Sequence, residues 1–527
     1  MALLLSVPRQ EPVSKAARRE IIDSKDWLNH LPWDNTSVCL QQILERLKKQ
    51  NRCSMKPAIR WQQLEACQHP LFRLEDTIDQ SLGSCRLPVF DALKIDASIC
   101  AELEMEMAYG YKIILSQQSR SFLASVPIAK LTQRALYHLF LTYYRSSSQY
   151  QPIPEGLWFE IHQLFHSCPP KQQLQRSPHP RNPEKMSAIA DIYLQALLTG
   201  IFNPYQQIYI TTKAANAFLD EYSSSARLEE YKTPGRNRGK FVIDPLLDQP
   251  TKPRGLTDPD GENKKLWLLD TRPLISQLHL LWRERHSKKY PAIATDRFFV
   301  SQALRTWDLA PSRKNERLRK ESDCDVVIGL HTCHHLLHNK SLFIPDFMLQ
   351  QITSRDRDLT VCRFQFISQY LKRFESATEY QIENWHRINE SPAGLCLYGT
   401  STGLSTDPGT ILAMNIDQQA WHVGIVRWVQ QHQQNQMLLG IENLGPGVSP
   451  VATMLGSRHH TNDITTGLLI PQIPLLHRPL SLLVEHGLFK KGQKLLLDDG
   501  HRLYRFSCSK VLEQHHYFDW LALQIMK

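Results

Sequence analysis

The spacing of apolar residues changes partway along the chain. Between Ser37 and Tyr150 they recur every three to four positions, the period of one face of a helix. SVCLQQILERLKKQ brings Val38, Leu40, Ile43, Leu44 and Leu47 to one side. AELEMEMAYGYKIILSQQ and IAKLTQRALYHLFLTYYRS repeat the pattern and add a stripe of Tyr109, Tyr111, Tyr137, Phe140, Tyr143 and Tyr144. Aromatic residues at helical spacing usually fill the gap between helices, so the stripe is read as packing. GLWFEIHQLFHSC, AIADIYLQALLTGIF and TKAANAFLDEYSSSARLEEY extend the helical region, with a Pro- and Arg-bearing loop near 169–183. LISQLHLLWRERHSKK (274–289) closes it. No fixed repeat length appears, which predicts an irregular helical scaffold rather than a solenoid.

After Asp323 the period shortens. CDVVIGL, GLCLYG, TILAMNI, HVGIVRWV and MLLGIENL are short β-rich segments with turn residues between them, the signature of an antiparallel barrel or sandwich. A stretch at about 331–377 breaks this rhythm with the helix-like FMLQQITSR and FQFISQYLKRF, and is read as an insertion. A second β-like set follows Thr461: TGLLIP, LSLLVEH, QKLLLDD, RLYRFSC and FDWLALQIM. The expected fold class is multidomain α+β, an all-α N-terminal half followed by an antiparallel β-barrel and a small β-rich C-terminal domain. The expected boundaries are 1–290 (sub-boundary near 150–185, loop at 232–265), 291–456 and 457–527.

Composition narrows the class. Apolar residues make up 42% and charged residues 22%, a globular balance. The net charge of +10 suits an anionic partner such as a nucleotide, nucleic acid or membrane surface. It is spread along the chain with no run of five or six basic residues, which argues against a nucleic-acid tail. Eleven cysteines without a C-x-x-C pair fit a reducing compartment. MALLLSVPRQ lacks a charged leader and carries an early Pro, so it does not read as a signal peptide. No apolar run approaches the ~18 residues of a membrane helix. A cytoplasmic protein is expected.

The chain has no Gly-rich phosphate loop, G-x-S-x-G elbow or H-E-x-x-H motif, so no enzyme, catalytic residue or cofactor is predicted. DPDGEN (258–263) has the look of a calcium loop, but Gly261 is misplaced and the closing Glu is missing; it is read as a surface turn. In HTCHHLLH, His334 and His338 stand at i,i+4, with His331, Cys333 and His335 beside them. Neither a carboxylate nor a Cys pair accompanies them and the next cysteine is Cys362, so the segment is read as a His-rich helix, not a metal site.

Two patterns each occur once. Arg313 and Arg317 in SRKNERLRK form R-x-x-x-R just before CDVVIGL, and Asn389, Ser391 and Gly394 in NESPAGLCL form [DN]-x-S-x-x-G. Either alone could be a charged linker or a turn that opens a strand. In this order, both beside β-segments, they resemble the PilZ family of bacterial cyclic-di-GMP receptors. Pro408-Gly409, ILAMNI, HVGIVRWV and LLGIENL continue the likeness, which spans about 309–455. FVIDPLLDQP and LLDTRPLI are similar to bacterial proteins that append a PilZ domain to a long helical region. The departure is the 71 residues between Arg317 and Asn389.

The resemblance implies that Arg313, Arg317, Asn389, Ser391 and Gly394 bind cyclic-di-GMP, with a protein partner taken by the helical half. The residue chemistry agrees. Guanidinium groups bind phosphate in a bidentate fashion, contact guanine O6 and N7 or stack on a purine. Asn389 and Ser391 offer neutral donors and acceptors, and Gly394 permits a close backbone approach. Arg319 and Lys320 add general attraction or merely solvate the linker. Arg427 and Trp428 lie in an alternating strand, so one of them is expected to face solvent or a partner, and neither is assigned to the ligand. Two alternatives stay open, an interaction scaffold with a degenerate PilZ barrel and a nucleic-acid-binding protein.

Overall fold

The computed structural model describes residues 5–12, 24–87, 89–118, 126–232, 238–253, 265–284, 296–308, 317–340, 343, 380–400, 405–417, 420–432, 436–455, 465–474 and 477–526. The chain forms two compact units, one of 1–85 with 89–312 and one of 86–88 with 313–527.

The first unit is mainly helical. Its opening segments include the helices Thr36–Asn51, Pro57–Leu82, Asp91–Gln118 and Ile128–Ser148. Asn35 caps the first, its side chain accepting from the Val38 N–H at 3.2 Å, while Pro57 stands at the start of the second, where a missing N–H costs nothing. The predicted face is buried at Leu40, Ile43, Leu44 and Leu47. Val38, however, is 37% exposed: it lies in the first turn, and Cys39 takes the inward position beside it. The aromatic stripe is packing, with Tyr111, Tyr137, Phe140, Tyr143 and Tyr144 buried and Tyr109 partly so.

Helix Ile128–Ser148 is buried on every side from Leu131 to Ser148, polar residues included. Its charges must therefore be paired inside the protein. Arg145 lies between Glu75 at 2.7 Å and Asp79 at 3.0 Å, and His138 bonds to Glu104. This unit also holds the hairpin β1 (Ser177–Pro178) and β2 (Met186–Ser187). A four-stranded sheet of β3 (Arg227–Glu230), β4 (Lys240–Ile243), β5 (Lys252–Pro253) and β6 (Trp267–Asp270) is ordered β3-β6-β4-β5. The segment DPDGEN lies outside the described residues. No described helix is long and apolar enough to cross a membrane.

The second unit is two closed antiparallel barrels. The middle barrel comprises β7 (Leu318–Ile328), β8 (Glu383–Ser391), β9 (Gly394–Thr400), β10 (Ile411–Ile416), β11 (Ala420–Gln431) and β12 (Gln436–Gly445), ordered β10-β11-β12-β9-β8-β7. The C-terminal barrel comprises β13 (Ser449–Leu455), β14 (Thr465–Ile470), β15 (Ser481–Val484), β16 (Lys494–Asp498), β17 (Leu503–Gln514) and β18 (Asp519–Ile525), ordered β13-β14-β15-β18-β17-β16. Each is two three-stranded meanders closed by pairing the first strand with the fourth and the third with the sixth. The barrels share an apolar core: Val327, Ile411, Val423 and Ile425 of one pack with Leu468, Ile470, Leu483 and Phe518 of the other. Of the inserted stretch, helix Leu330–Leu337, the residues to 340 and residue 343 are described, whereas FMLQQITSR and FQFISQYLKRF lie outside the described residues.

Candidate ligand site

The segment NESPAGLCL forms a hairpin. β8 ends at Ser391 and β9 begins at Gly394, joined by the two-residue turn Pro392–Ala393. Ser391 Oγ donates to the Gly394 carbonyl at 3.1 Å, and the Asn443 N–H donates to the Ala393 carbonyl at 3.0 Å, tying the turn to β12. Gly394 is required by space: a Cβ there would stand 2.2 Å from the Ile441 carbonyl oxygen. Asn389 pairs with Cys396 on one side and with Arg319 on the other. Its buried Oδ1 has no hydrogen-bond partner among the described residues.

That Arg319–Asn389 pairing closes the 71-residue gap. β7 and β8 are direct neighbours in the sheet, so the insertion leaves the two motifs side by side. Arg317 immediately precedes β7, and its guanidinium lies 5.9 Å from the centre of the Trp428 ring. Arg313 lies outside the described residues. Arg317, Ser391, Gly394, Arg427, Trp428 and Glu442 line one cavity of about 330 Å³ on the outer face of the middle barrel. Asn389 is not among its lining residues.

The strict alternation expected of the strand holding Arg427 and Trp428 fails. A bulge in β11 between Val426 and Trp428 leaves Arg427 as the extra residue, so both side chains reach the cavity. Trp428 pairs across from Gly440, whose missing side chain makes room for the indole: a Cβ at Gly440 would fall 1.7 Å from Nε1. Arg427 is held by two carboxylates, Glu442 at 2.7 Å and Glu513 of β17 at 2.6 Å. Burial works against its charge, yet Glu513 and Glu442 together hold its pKa above the usual arginine value. Arg478 braces the same wall, donating to the Leu444 carbonyl at 2.9 Å.

Neighbouring cations are already engaged. Arg319 bonds to Glu321 at 2.6 Å, and Lys320 reaches Glu390 at 3.2 Å and Asp417 at 3.3 Å. Arg387, fully buried, binds Glu390, Asp417 and Ser322 and locks the ends of β7 and β8. Burial would raise the Asp417 carboxyl, but Lys320 and Arg387 hold it below the usual range. Among the described residues of the cavity wall, Arg317 is thus the cation without an ion pair.

Two histidines of the His-rich helix are engaged within the protein. His331 bridges Thr466 at 2.8 Å and Glu485 at 2.7 Å, while buried His334 bonds to the Val451 carbonyl at 3.2 Å. Burial pushes the His334 pKa down to about 3, so the ring stays neutral. Among the described residues no group of three His, Cys, Asp or Glu could hold a metal ion.

Of the residues singled out in the sequence, Arg317, Ser391 and Gly394 line the cavity; Glu442 lines it too without having been singled out, and Trp428 lines it without having been assigned to the ligand. A possible signal was the glycine at 440, since Gly inside a strand marks a close approach; only the register shows what approaches.

Comparison with known proteins follows the same division. Residues 22–234 match the N-terminal domain of the cyclic-di-GMP receptor FimW, 363–450 its middle PilZ domain and 451–524 its C-terminal β-barrel domain. The middle match begins downstream of β7 and Arg317. The cyclic-di-GMP receptor FimW of Pseudomonas aeruginosa is 22% identical over 528 residues, covering 90% of this chain and 86% of that one. No solved structure matches the chain.

Proposed function

We propose that this chain, which matches the N-terminal, middle PilZ and C-terminal barrel domains of the cyclic-di-GMP receptor FimW in that order, is a cytoplasmic, non-enzymatic receptor for cyclic-di-GMP. The observation that carries this reading is the meeting of Arg317, Trp428, Ser391 and Gly394 around one cavity. Arg317, with Arg313 on the same arm, supplies charge-assisted bonds to phosphate. Trp428 offers a plane for a guanine, and Ser391 a hydroxyl. The Oδ1 of Asn389 gains a donor if ligand binding brings a guanine N–H within its reach.

At about 330 Å³ the cavity is at the small end of ligand pockets, so a cyclic dinucleotide lies partly outside it, with Arg317 at the cavity's edge to meet it. A segment that makes additional contacts with bound ligand converts binding into a change of position. That change would be read by a protein partner on the helical half; no covalent step is involved and no cofactor is needed.

Calorimetric titration with cyclic-di-GMP tests the reading. Saturable heat and a ligand-dependent rise in Tm are expected, and both should vanish in Arg313→Ala/Arg317→Ala while the unliganded Tm stays put. Absence of heat and of any thermal shift at high ligand would overturn it. Oligonucleotide binding that falls steeply with salt and survives the double substitution would point to nucleic acid instead.

A further inference from the structure

The cavity contains one carboxylate among its described lining residues, Glu442 of β12. The ladder fixes its surroundings. Glu442 pairs directly with Gly394 of β9, and two residues before it Gly440 pairs with Trp428. Residues two apart on a strand share a face, about 7 Å apart. The carboxylate, the indole and the motif glycine therefore lie on the same surface, with Glu442 one step along from the stacking plane.

A carboxylate repels phosphate, so its presence in a site for an anionic ligand calls for another task. Arg427 does not neutralise it for that purpose. Its Nε bonds to Glu442 Oε2 at 2.7 Å, while Nη1 and Nη2 bond to Glu513 at 2.6 and 2.8 Å. A guanidinium shared by two carboxylates has little charge left for a phosphate, and its role here is to fix Glu442. Glu442 Oε1 is held only loosely, by Arg478 at 3.5 Å, the outer limit of a hydrogen bond. That oxygen keeps the capacity to accept from a ligand.

Guanine carries the matching group. Its N1–H and N2–H₂ form two adjacent donors that a carboxylate accepts, whereas adenine has an acceptor at N1. Building on the receptor reading above, we propose that Glu442 is the specificity-determining residue of the site: it reads the N1–H/N2–H₂ edge of a guanine stacked on Trp428, with Arg427 as its positioning residue. The two arginines that line the cavity then divide the work, Arg317 for phosphate and Arg427 for base selection.

Titrating the full chain with cyclic-di-GMP, cyclic-di-AMP and the inosine analogue that lacks the N2 amino group tests this. The wild-type protein should rank guanine first, inosine second and adenine last. Glu442→Gln should weaken cyclic-di-GMP binding roughly ten- to a hundred-fold while leaving cyclic-di-AMP nearly unchanged, so that the preference collapses. Arg427→Lys, which keeps a cation but loses the fork, should narrow the preference in the same direction. Equal weakening of all three ligands would mark Glu442 as merely structural, and an unchanged ranking would exclude it; either result overturns the proposal. If the wild type binds none of the three, the receptor reading fails and this falls with it.

Discussion

In the middle barrel the second and third strands, β8 and β9, meet in the turn Pro392–Ala393; in the C-terminal barrel their counterparts, β14 and β15, are separated by residues 471–480. The fifth strands correspond more closely. β11 and β17 each run for 12 residues and each is bulged against its partner. In β11 the bulge delivers Arg427 and Trp428 to the cavity; in β17 the second register shift, between Val511 and Glu513, lies at the residue that holds Arg427. One strand order thus serves two ends. The first barrel carries the tight hairpin that forms the motif, and the second, without that hairpin, buttresses the first through Glu513 and Arg478.

The largest expected effect breaks that division at the ligand. Arg317→Ala should weaken cyclic-di-GMP binding at least a hundred-fold, about 3 kcal/mol, by removing a charge-assisted phosphate contact. Arg505→Ala, removing an exposed cation of the C-terminal barrel, should leave binding unchanged. Calorimetry on both variants reads the contrast directly.

Removing the buttress should act on stability first. Arg427→Ala leaves Glu442 and Glu513 facing each other with Glu513 largely buried, a loss of about 2–3 kcal/mol visible as a lower urea midpoint. Glu513→Gln, which keeps the bond to Arg427 but not the charge, should cost less.

A pH titration sharpens the comparison at the seam. His334, beside the Val451 carbonyl, and His515, packed on Gly409, both have pKa values pushed down to about 3, chiefly by burial. The unfolded chain takes up those protons near pH 6.5, and the folded chain does not until far lower. Stability should therefore fall as pH drops below about 6.5, by roughly 2 kcal/mol per histidine at pH 5. Denaturant unfolding at pH 7.5 and 5 checks this, and His334→Gln should flatten the slope. The smallest effect concerns the stacking plane: Trp428→Ala should cost about tenfold in cyclic-di-GMP affinity, and Trp428→Phe much less.

The change from helical to strand periodicity was readable because periods of 3.6 and 2 survive in the order of residues alone. It yielded the helical half, both β regions and the packing role of the aromatic stripe. That Arg317, Ser391 and Gly394 belong together was readable too, since two residue patterns flank strands that turn out to be adjacent and the three residues line one cavity. Three things were not. Val38 has the right period yet lies in the first turn, where the face has not yet closed. The closed order of each barrel depends on pairing the first strand with the fourth, a long-range choice that short segments do not reveal. Glu442 and Trp428 come to line the cavity only through register, because a bulge at Arg427 overrides the alternation that the sequence suggests.

The bond from Arg427 to Glu513 also sets an order in time. Every described residue that lines the cavity lies before Glu513 in the chain, and so does the brace Arg478. As a ribosome makes this protein, the motif arginines, the hairpin and the indole all emerge before the residue that clamps Arg427. A nascent or prematurely stopped chain would display the ligand motif with its wall unfinished. On the receptor reading proposed above, ligand competence would depend on the completed second barrel as much as on the first, and a chain stopped before Glu513 should bind cyclic-di-GMP more weakly than the full chain.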